Sequence, residues 1–275
     1  NKCMIIAVDT GGTKTLVAGS DSEGRFHTRH RFATPKDTDS YINQLDEVLS
    51  EHFDLKKAKA ISIAVPGTTR GNTVVSCRNL GWKKNFELVE ELREKLGTKL
   101  PIYIENDANL AGLAEAQALD PIPKSCLYIT ISTGIGTGIT NNGKLVNFLD
   151  YFEGGQVVLE YDGMLRVWED FASGRAIYET YGRYAKDIKS RAVWEQIAEK
   201  ISRGLLVLAP TLKPEVIVIG GSIGTYFDKY DIYLNAYLEK YIPYIMAGTK
   251  VVQAKHPEEA VIYGCKIYAD QKLSR

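Results

Sequence analysis

Cysteine is scarce in this 275-residue chain: Cys3, Cys77, Cys126 and Cys265 are all there is. They lie far apart, none in a C-x-x-C pair and none with a histidine at metal-ligand spacing. That excludes a disulfide framework and leaves reduced, buried thiols as the expectation. An excess of one charge is also missing, with 34 Lys and Arg against 34 Asp and Glu. Neither a nucleic-acid footprint nor a solvating acidic tail follows from that balance, although a local patch can hide inside a neutral total. No apolar run approaches the ~20 residues that cross a bilayer. The opening run Met4 to Val8 is shorter than a signal-peptide core and leads into a glycine turn. The four histidines, His27, His30, His52 and His256, fall outside every motif described below and read as ordinary polar residues. Low-complexity tracts and long linkers are lacking too. The expectation is a cytoplasmic, globular protein of two modest domains or one large one, with no membrane and no nucleic acid as partner.

What is present is an order of elements that occurs twice. Met4 to Val8 is predicted as a buried strand and Asp9-Thr10-Gly11-Gly12-Thr13-Lys14 as a tight turn. Thr15 to Ser20 and Arg25 to Phe32 complete an antiparallel meander. Ser40 to His52 has helical periodicity, with Tyr41, Leu45, Val48 and Leu49 on one face. Ala60 to Val65 is a strand stopped by Pro66-Gly67, Asn85 to Leu96 a helix, and Ile102 to Ile104 a short strand. A helix capped by Asp107 or its neighbour runs to about Leu119. Then Cys126 to Ile131 is a strand, Ser132 to Gly138 a glycine turn and Ile139 onward a returning strand. A helix from Ser190 to Leu208, a strand Val216 to Ile219, the loop Gly220-Gly221-Ser222 and a helix from Glu258 to Gln271 follow. Two similar α/β lobes, residues 1–120 and 121–275, account for the echo, parted at Asp120-Pro121-Ile122-Pro123. The final helix is free to pack back on the first lobe.

Neither glycine loop is a Walker A motif, and neither opens a helix as a dinucleotide fingerprint does. Each is a hairpin tip rich in Gly and Thr. Such a tip either simply turns the chain or presents backbone N–H groups to a polyphosphate. Two at equivalent places in paired lobes favour the second reading. Gly11, Gly12, Thr13 and Lys14 would then serve in the first loop, and Thr133, Gly134, Gly136 and Thr137 in the second. Asp9 either caps its turn or holds Mg²⁺ through water beside the phosphates. Gly220, Gly221 and Ser222 lie at a strand's carboxyl end, where an adenosine can rest against backbone. They can equally be a glycine entry to a helix. Trp82 reads as a core residue.

The motifs together resemble the ROK family (repressors, open reading frames and sugar kinases) of the actin-like ATPase superfamily. The first glycine loop marks only the superfamily. More specific are Val65-Pro66-Gly67, Asn79-Leu80-Gly81-Trp82, Glu105-Asn106-Asp107-Ala108-Asn109, Thr133 to Gly138, Glu153-Gly154-Gly155 and Glu169-Asp170-Phe171-Ala172-Ser173-Gly174. The resemblance implies two actin-like (ribonuclease H-like) ATPase lobes, each a mixed sheet with flanking helices, around a central cleft. It implies an ATP-dependent carbohydrate kinase with Mg²⁺, acting on a hexose at its 6-hydroxyl or on an N-acetylhexosamine, and a possible homodimer. Asp107 would be the catalytic base, and Asn79, Asn106, Asp107, Glu153, Gln156 and Glu169 would bind the sugar. Gln156 stands where the family usually has a histidine, which bears on sugar choice. Tyr161 to Trp168 lacks the family's cysteine cluster, so no structural zinc is expected. The bland reading makes Asp107 an N-cap, and its place at a helix start stabilises the carboxylate and weakens it as a base. Two other readings stay open: polyphosphate as donor, and an idle sugar sensor of the same fold.

Overall fold

The computed structural model describes residues 4–77, 79–146, 152–256 and 259–274. The chain divides into two compact units, Asn1–Ala114 with Glu259–Arg275, and Glu115–Glu258.

In the first unit, strands β1 (Met4–Thr10), β2 (Lys14–Ser20) and β3 (Phe26–Ala33) form the antiparallel meander. Helix α1 (Thr38–His52) follows, then β4 (Ala58–Val65), a small hairpin of β5 (Thr68–Arg70) and β6 (Thr73–Ser76), and α2 (Leu88–Leu96). β7 (Ile102–Asn106) runs directly into α3 (Asp107–Gln117), in which the unit boundary falls. The sheet order is β3-β2-β1-β4-β7, with β4 and β7 parallel to β1. Side-chain alternation assigns the two faces. Ile6, Val8, Ile61 and Ile63 pack with Tyr41, Leu45 and Leu49 of α1. Trp82 is buried between Tyr41 and Phe86, as a core residue should be.

The second unit repeats this order. Strands β8 (Ser125–Ile131), β9 (Ile135–Asn141) and β10 (Lys144–Leu145) are antiparallel neighbours. The turn between β9 and β10 has Asn142 at φ 47° and Gly143 at φ 68°, as a two-residue hairpin needs. After a 3-10 turn (Gly154–Gln156) come a ribbon of β11 (Val158–Tyr161) and β12 (Met164–Val167), then α4 (Trp168–Ala172), α5 (Gly174–Tyr181) and the long α6 (Arg191–Leu212). β13 (Val216–Gly220), α7 (Gly221–Gly224), α8 (Asp231–Tyr241), α9 (Pro243–Met246) and β14 (Lys250–Gln253) close the unit. The sheet order β10-β9-β8-β13-β14 has the same three antiparallel and two further parallel strands as the first. Trp168, Trp194, Ile197, Leu205 and Leu234 fill its core.

The last helix, α10 (Ala260–Leu273), packs on β1 and β4 of the first unit. Only small side chains, Ala7 and Ala64, come from the sheet there, beside Leu110, Ile262 and Cys265. A Cβ built on Gly264 would lie 1.9 Å from the Leu110 carbonyl oxygen. Gly264→Ala must therefore move one helix backbone off another, an overpacking cost of about 1–3 kcal/mol. Urea unfolding will read that loss, and a variant as stable as the parent would refute the close crossing.

Three expectations need correction. The second glycine turn is shorter than Ser132 to Gly138, because Gly136, Thr137 and Gly138 pair with Thr130, Ile129 and Tyr128 inside β9. The helix predicted from Asn85 begins at Leu88: Asn85 sits at φ 53° and Phe86 bridges Val74. The contact boundary falls at Ala114/Glu115, inside a continuous helix, and not at the prolines of 121–123. Among the described residues no helix is long and apolar enough to cross a membrane.

Candidate active site

In the first unit the predicted phosphate turn narrows to Gly11-Gly12-Thr13, because Asp9 and Thr10 belong to β1 and Lys14 opens β2. Gly11 N–H donates to the Lys14 carbonyl (3.0 Å) and Thr34 Oγ1 donates to the Gly11 carbonyl (2.8 Å). A Cβ on Gly11 would press within 2.8 Å of the Lys14 oxygen, whereas one on Gly12 meets nothing within 4 Å among the described residues. The turn is thus braced at its base and open at Gly12, the arrangement a ligand needs to approach backbone closely. Thr13 and Lys14 are exposed at its tip. Lys36 Nζ donates to the Gly12 carbonyl at 2.6 Å, putting a second cation on the loop. Burial pushes the Asp9 carboxyl up to about 6, with the Arg31 guanidinium offsetting part of the effect.

β7 delivers Glu105, Asn106 and Asp107 to the head of α3. Glu105 is 6% exposed. Its Oε1 accepts the Asn106 N–H (2.8 Å) and an Asn109 Nδ2 hydrogen (3.0 Å). Asn106 caps the helix, its Oδ1 taking the Asn109 N–H at 3.1 Å while Nδ2 donates to the Gly67 carbonyl at 3.1 Å. Capping therefore falls to Asn106. Asp107 is the first helical residue, and its Oδ1 accepts the Ala108 N–H (2.8 Å). Asn79 lies exposed in the turn after Cys77. The Cys77 thiol is pushed up to about 11 chiefly by burial, raised further by the Asp107 carboxylate and lowered by the Lys36 ammonium. The Cys77 thiol thus feels both the Asp107 carboxylate and the Lys36 ammonium.

In the second unit Ser132 ties three loops together. Its N–H donates to the Gly134 carbonyl (2.9 Å), its carbonyl accepts from Gly174 N–H (2.7 Å), and its Oγ accepts from Ser222 N–H (3.0 Å). The second glycine loop, the start of α5 and the predicted adenosine loop are so held side by side. Thr133 is exposed at the tip. Glu169, at the first turn of α4, places Oε2 2.7 Å from the Ile135 nitrogen and accepts its hydrogen. A Cβ on Gly134 would lie 2.3 Å from that same oxygen, so glycine there admits the carboxylate. Thr137 is buried. Its Oγ1 donates to the Phe152 carbonyl (3.3 Å) and accepts the Gly154 N–H (3.0 Å), which fixes the segment carrying Glu153. Gly155 packs where a Cβ would lie 2.1 Å from the Ile135 oxygen. Glu153 and Gln156 are exposed on either side of that turn. Gly220 and Gly221 are required by packing as well: added Cβ atoms would meet Tyr128 Oη at 2.5 Å and the Ile131 oxygen at 2.6 Å.

Each unit thus gathers its own share of the predicted residues. The first holds Asp9, Gly11 to Lys14, Asn79, Asn106 and Asp107. The second holds Thr133 to Thr137, Glu153, Gln156, Glu169 and Gly220 to Ser222. Sequence reasoning missed Lys36, Ser132 and Thr34. A lone lysine after Thr-Pro carries no signal, and a serine before a glycine loop reads as part of the turn. Among the described residues no group of three or more His, Cys, Asp and Glu side chains is placed to hold a metal ion. Around the β11–β12 ribbon, Tyr161 stacks on Phe171 at 4.2 Å, with Arg166 lying 5.8 Å from both rings.

This architecture and these motifs have known counterparts. An N-acetylmannosamine kinase of Escherichia coli is 32% identical over 245 residues, 80% of this chain and 83% of that one. The structure of an inorganic polyphosphate/ATP-glucomannokinase from Arthrobacter superposes with a TM-score of 0.72 at 28% identity, covering 98% of this chain and 99% of the other. A ROK family glucokinase from Streptomyces griseus, solved with glucose and AMPPNP, matches the same shares of the two chains with a TM-score of 0.77. At 22% identity it attests the fold. The ROK family pattern itself runs from residue 5 to residue 272, so this two-unit actin-like chain belongs to the ROK family, among relatives that are sugar kinases.

Proposed function

We propose that the protein transfers the γ-phosphoryl group of ATP to a hydroxyl of a hexose or N-acetylhexosamine, the 6-hydroxyl in a hexose, with Asp107 as base. The observation that carries this reading is the Glu105–Asn106–Asp107 array at the head of α3, in a chain matched by the family over nearly its whole length. Phosphoryl transfer asks a protein chiefly to position an alcohol in line with the phosphate and to neutralise charge. Buried Glu105 orders Asn106 and Asn109, and Asn106 in turn caps α3, so Asp107 is presented on rigid backbone. A carboxylate has two oxygens with about four acceptor sites, so Asp107 can accept from a sugar hydroxyl beside its bond to the Ala108 N–H. In a loose transition state the proton leaves late, so an orienting acceptor suffices. Asn79, Asn106, Glu153, Gln156 and Glu169 supply amides and carboxylates to the remaining hydroxyls.

The donor's phosphates belong to Gly11 to Lys14 and Thr133 to Thr137, its adenosine to Gly220 to Ser222. Asp9 suits a cation: its half-buried carboxyl is pushed up to about 6 and carries its charge at neutral pH at a cost, and Mg²⁺ held there through water would neutralise charge on the phosphoryl group. A reaction that consumes ATP fits a cytoplasmic setting, and we propose that location for it.

The test is a panel of plain and N-acetylated sugars with Mg²⁺, ATP and an ADP-release readout. ADP should appear only when an accepted sugar is present. Sugar-independent ADP release, or none with any sugar, would contradict the proposal. Inorganic polyphosphate is the second donor to try, since the Arthrobacter glucomannokinase uses it alongside ATP by its name. Phosphorylation from polyphosphate alone would replace ATP in the reading while keeping Asp107.

A further inference from the structure

The segment between β3 and α1 is held at more points than a connector needs. Thr34 donates its N–H to the Thr13 carbonyl (3.0 Å) and its hydroxyl hydrogen to the Gly11 carbonyl (2.8 Å). Thr15 Oγ1 is left to donate to Thr34 Oγ1, at 2.9 Å. The Pro35 carbonyl accepts the Trp82 indole N–H at 3.1 Å. Asp37 then caps α1, its Oδ1 taking the Ser40 N–H at 2.7 Å. Lys36 therefore stands on backbone fixed on both sides.

Two parts of the predicted site are tied to this segment. The Lys36 ammonium donates to the carbonyl of Gly12, the open residue of the first glycine loop. One residue earlier, Pro35 holds the indole that ends the Asn79-Leu80-Gly81-Trp82 stretch. Lys36 is exposed, and among the described residues no carboxylate pairs with it. An ammonium carries three hydrogens, so those not used on Gly12 are open to another acceptor. Of a donor's phosphates, the one transferred lies nearest the residues that hold the alcohol. A cation tied to both the glycine loop and the Asn79 turn is placed for that terminal group. The charge of Lys36 is also felt at the Cys77 thiol together with that of Asp107.

We propose that Lys36 is a ligand of the donor's γ-phosphoryl group, in a role separate from that of Lys14. Its ammonium keeps the Gly12 carbonyl and gives its remaining hydrogens to γ-phosphoryl oxygens. In the transfer, the sugar oxygen bonds to phosphorus as the bond from phosphorus to the β,γ-bridging oxygen breaks. That electron pair leaves with ADP, and the hydroxyl proton passes to Asp107. The phosphoryl oxygens remain negative throughout, so Lys36 neutralises charge during the step as well as in binding. Its bond to Gly12 fixes the ammonium beforehand, which reduces the ordering cost when nucleotide arrives. This inference rests on the assignment of Gly11 to Lys14 to nucleotide phosphates.

Calorimetric titration of the full chain with Mg²⁺ and either AMPPNP or ADP tests it without a sugar. Lys36→Gln can still donate to the Gly12 carbonyl but carries no charge. It should bind AMPPNP roughly tenfold more weakly than wild type, and ADP within about twofold of wild type. Lys36→Arg, which keeps the charge, should lose no more than about threefold for AMPPNP. Retained ADP binding shows in the same experiment that both variants are folded. A lysine that only braces the loop predicts the two nucleotides to be affected alike, or not at all. Equal losses for ADP and AMPPNP in Lys36→Gln, or none for either, overturn the proposal and leave the loop assignment standing. A loss in Lys36→Arg as large as that in Lys36→Gln overturns it too, because charge is then not the cause. If wild type binds neither nucleotide, the loop assignment falls and this proposal with it.

Discussion

Asp107→Ala is expected to lower turnover roughly a hundredfold or more, the ordinary worth of a positioned acid–base group. The loss should appear in turnover, with sugar binding at least partly kept, because Asn106 keeps its own bonds to Gly67 and Asn109. Removing the carboxylate leaves α3 capped, so the fold should tolerate the change. Asp107→Asn is the closer control, retaining size and one acceptor but unable to take a proton. If deprotonation mattered little and orientation were everything, the asparagine variant would keep most activity while alanine lost it. Steady-state kinetics on the purified variants will separate the two contributions. Normal turnover by Asp107→Ala would remove Asp107 from the mechanism.

The second large effect concerns Asp9 and has opposite signs in stability and activity. Burial penalises the charge and pushes its folded carboxyl up from the ordinary aspartate range, about 4, to about 6. Between those two pH values the folded state binds the proton that the unfolded state has released. Stability therefore falls as pH rises from about 4 to about 6, and the deficit persists above. A shift of this size corresponds to at most about 3 kcal/mol. Asp9→Asn should then be more stable than wild type by about 1–2 kcal/mol at pH 7.5, and nearly equal to it at pH 4. Turnover should fall at least about tenfold, since a site destabilised for function loses activity when it is relieved. Urea unfolding at the two pH values, beside the kinase assay, checks both halves. A variant less stable than wild type at pH 7.5 would show that Asp9 is held by partners that favour its charge.

Much of the framework was legible because its signals are local. The apolar run Met4 to Val8, the alternation in Thr15 to Ser20, and the apolar stripe of Tyr41, Leu45, Val48 and Leu49 yield β1, β2 and α1 without tertiary information. The repeated order of strand, glycine hairpin and strand predicted two similar sheets, and both sheets share one strand sequence. Local signals ran out where pairing decides. Gly136 and Gly138 read as turn residues, yet neighbouring strands make them part of β9. The β5–β6 and β11–β12 hairpins are too short to show a period.

The candidate site was legible in its residue types more than in its contacts. Asn106 and Asp107 are adjacent in sequence, but which one caps α3 depends on a hydrogen bond reaching Gly67. Lys36 finds the first loop only because β3 returns alongside β2 and brings the Thr34–Lys36 segment back to Gly11 and Gly12. Glu169 and Ile135 are separated by 34 positions, and nothing in either local sequence announces their bond.

Phosphorus NMR of a reaction containing the protein, Mg²⁺, ATP and an accepted sugar bears most directly on phosphoryl transfer between two small molecules. One sugar phosphate should form for each ADP released, with no inorganic phosphate beyond the enzyme-free control. ADP accompanied by inorganic phosphate alone, or sugar bound with neither product formed, would contradict the assignment of this chain as a sugar kinase.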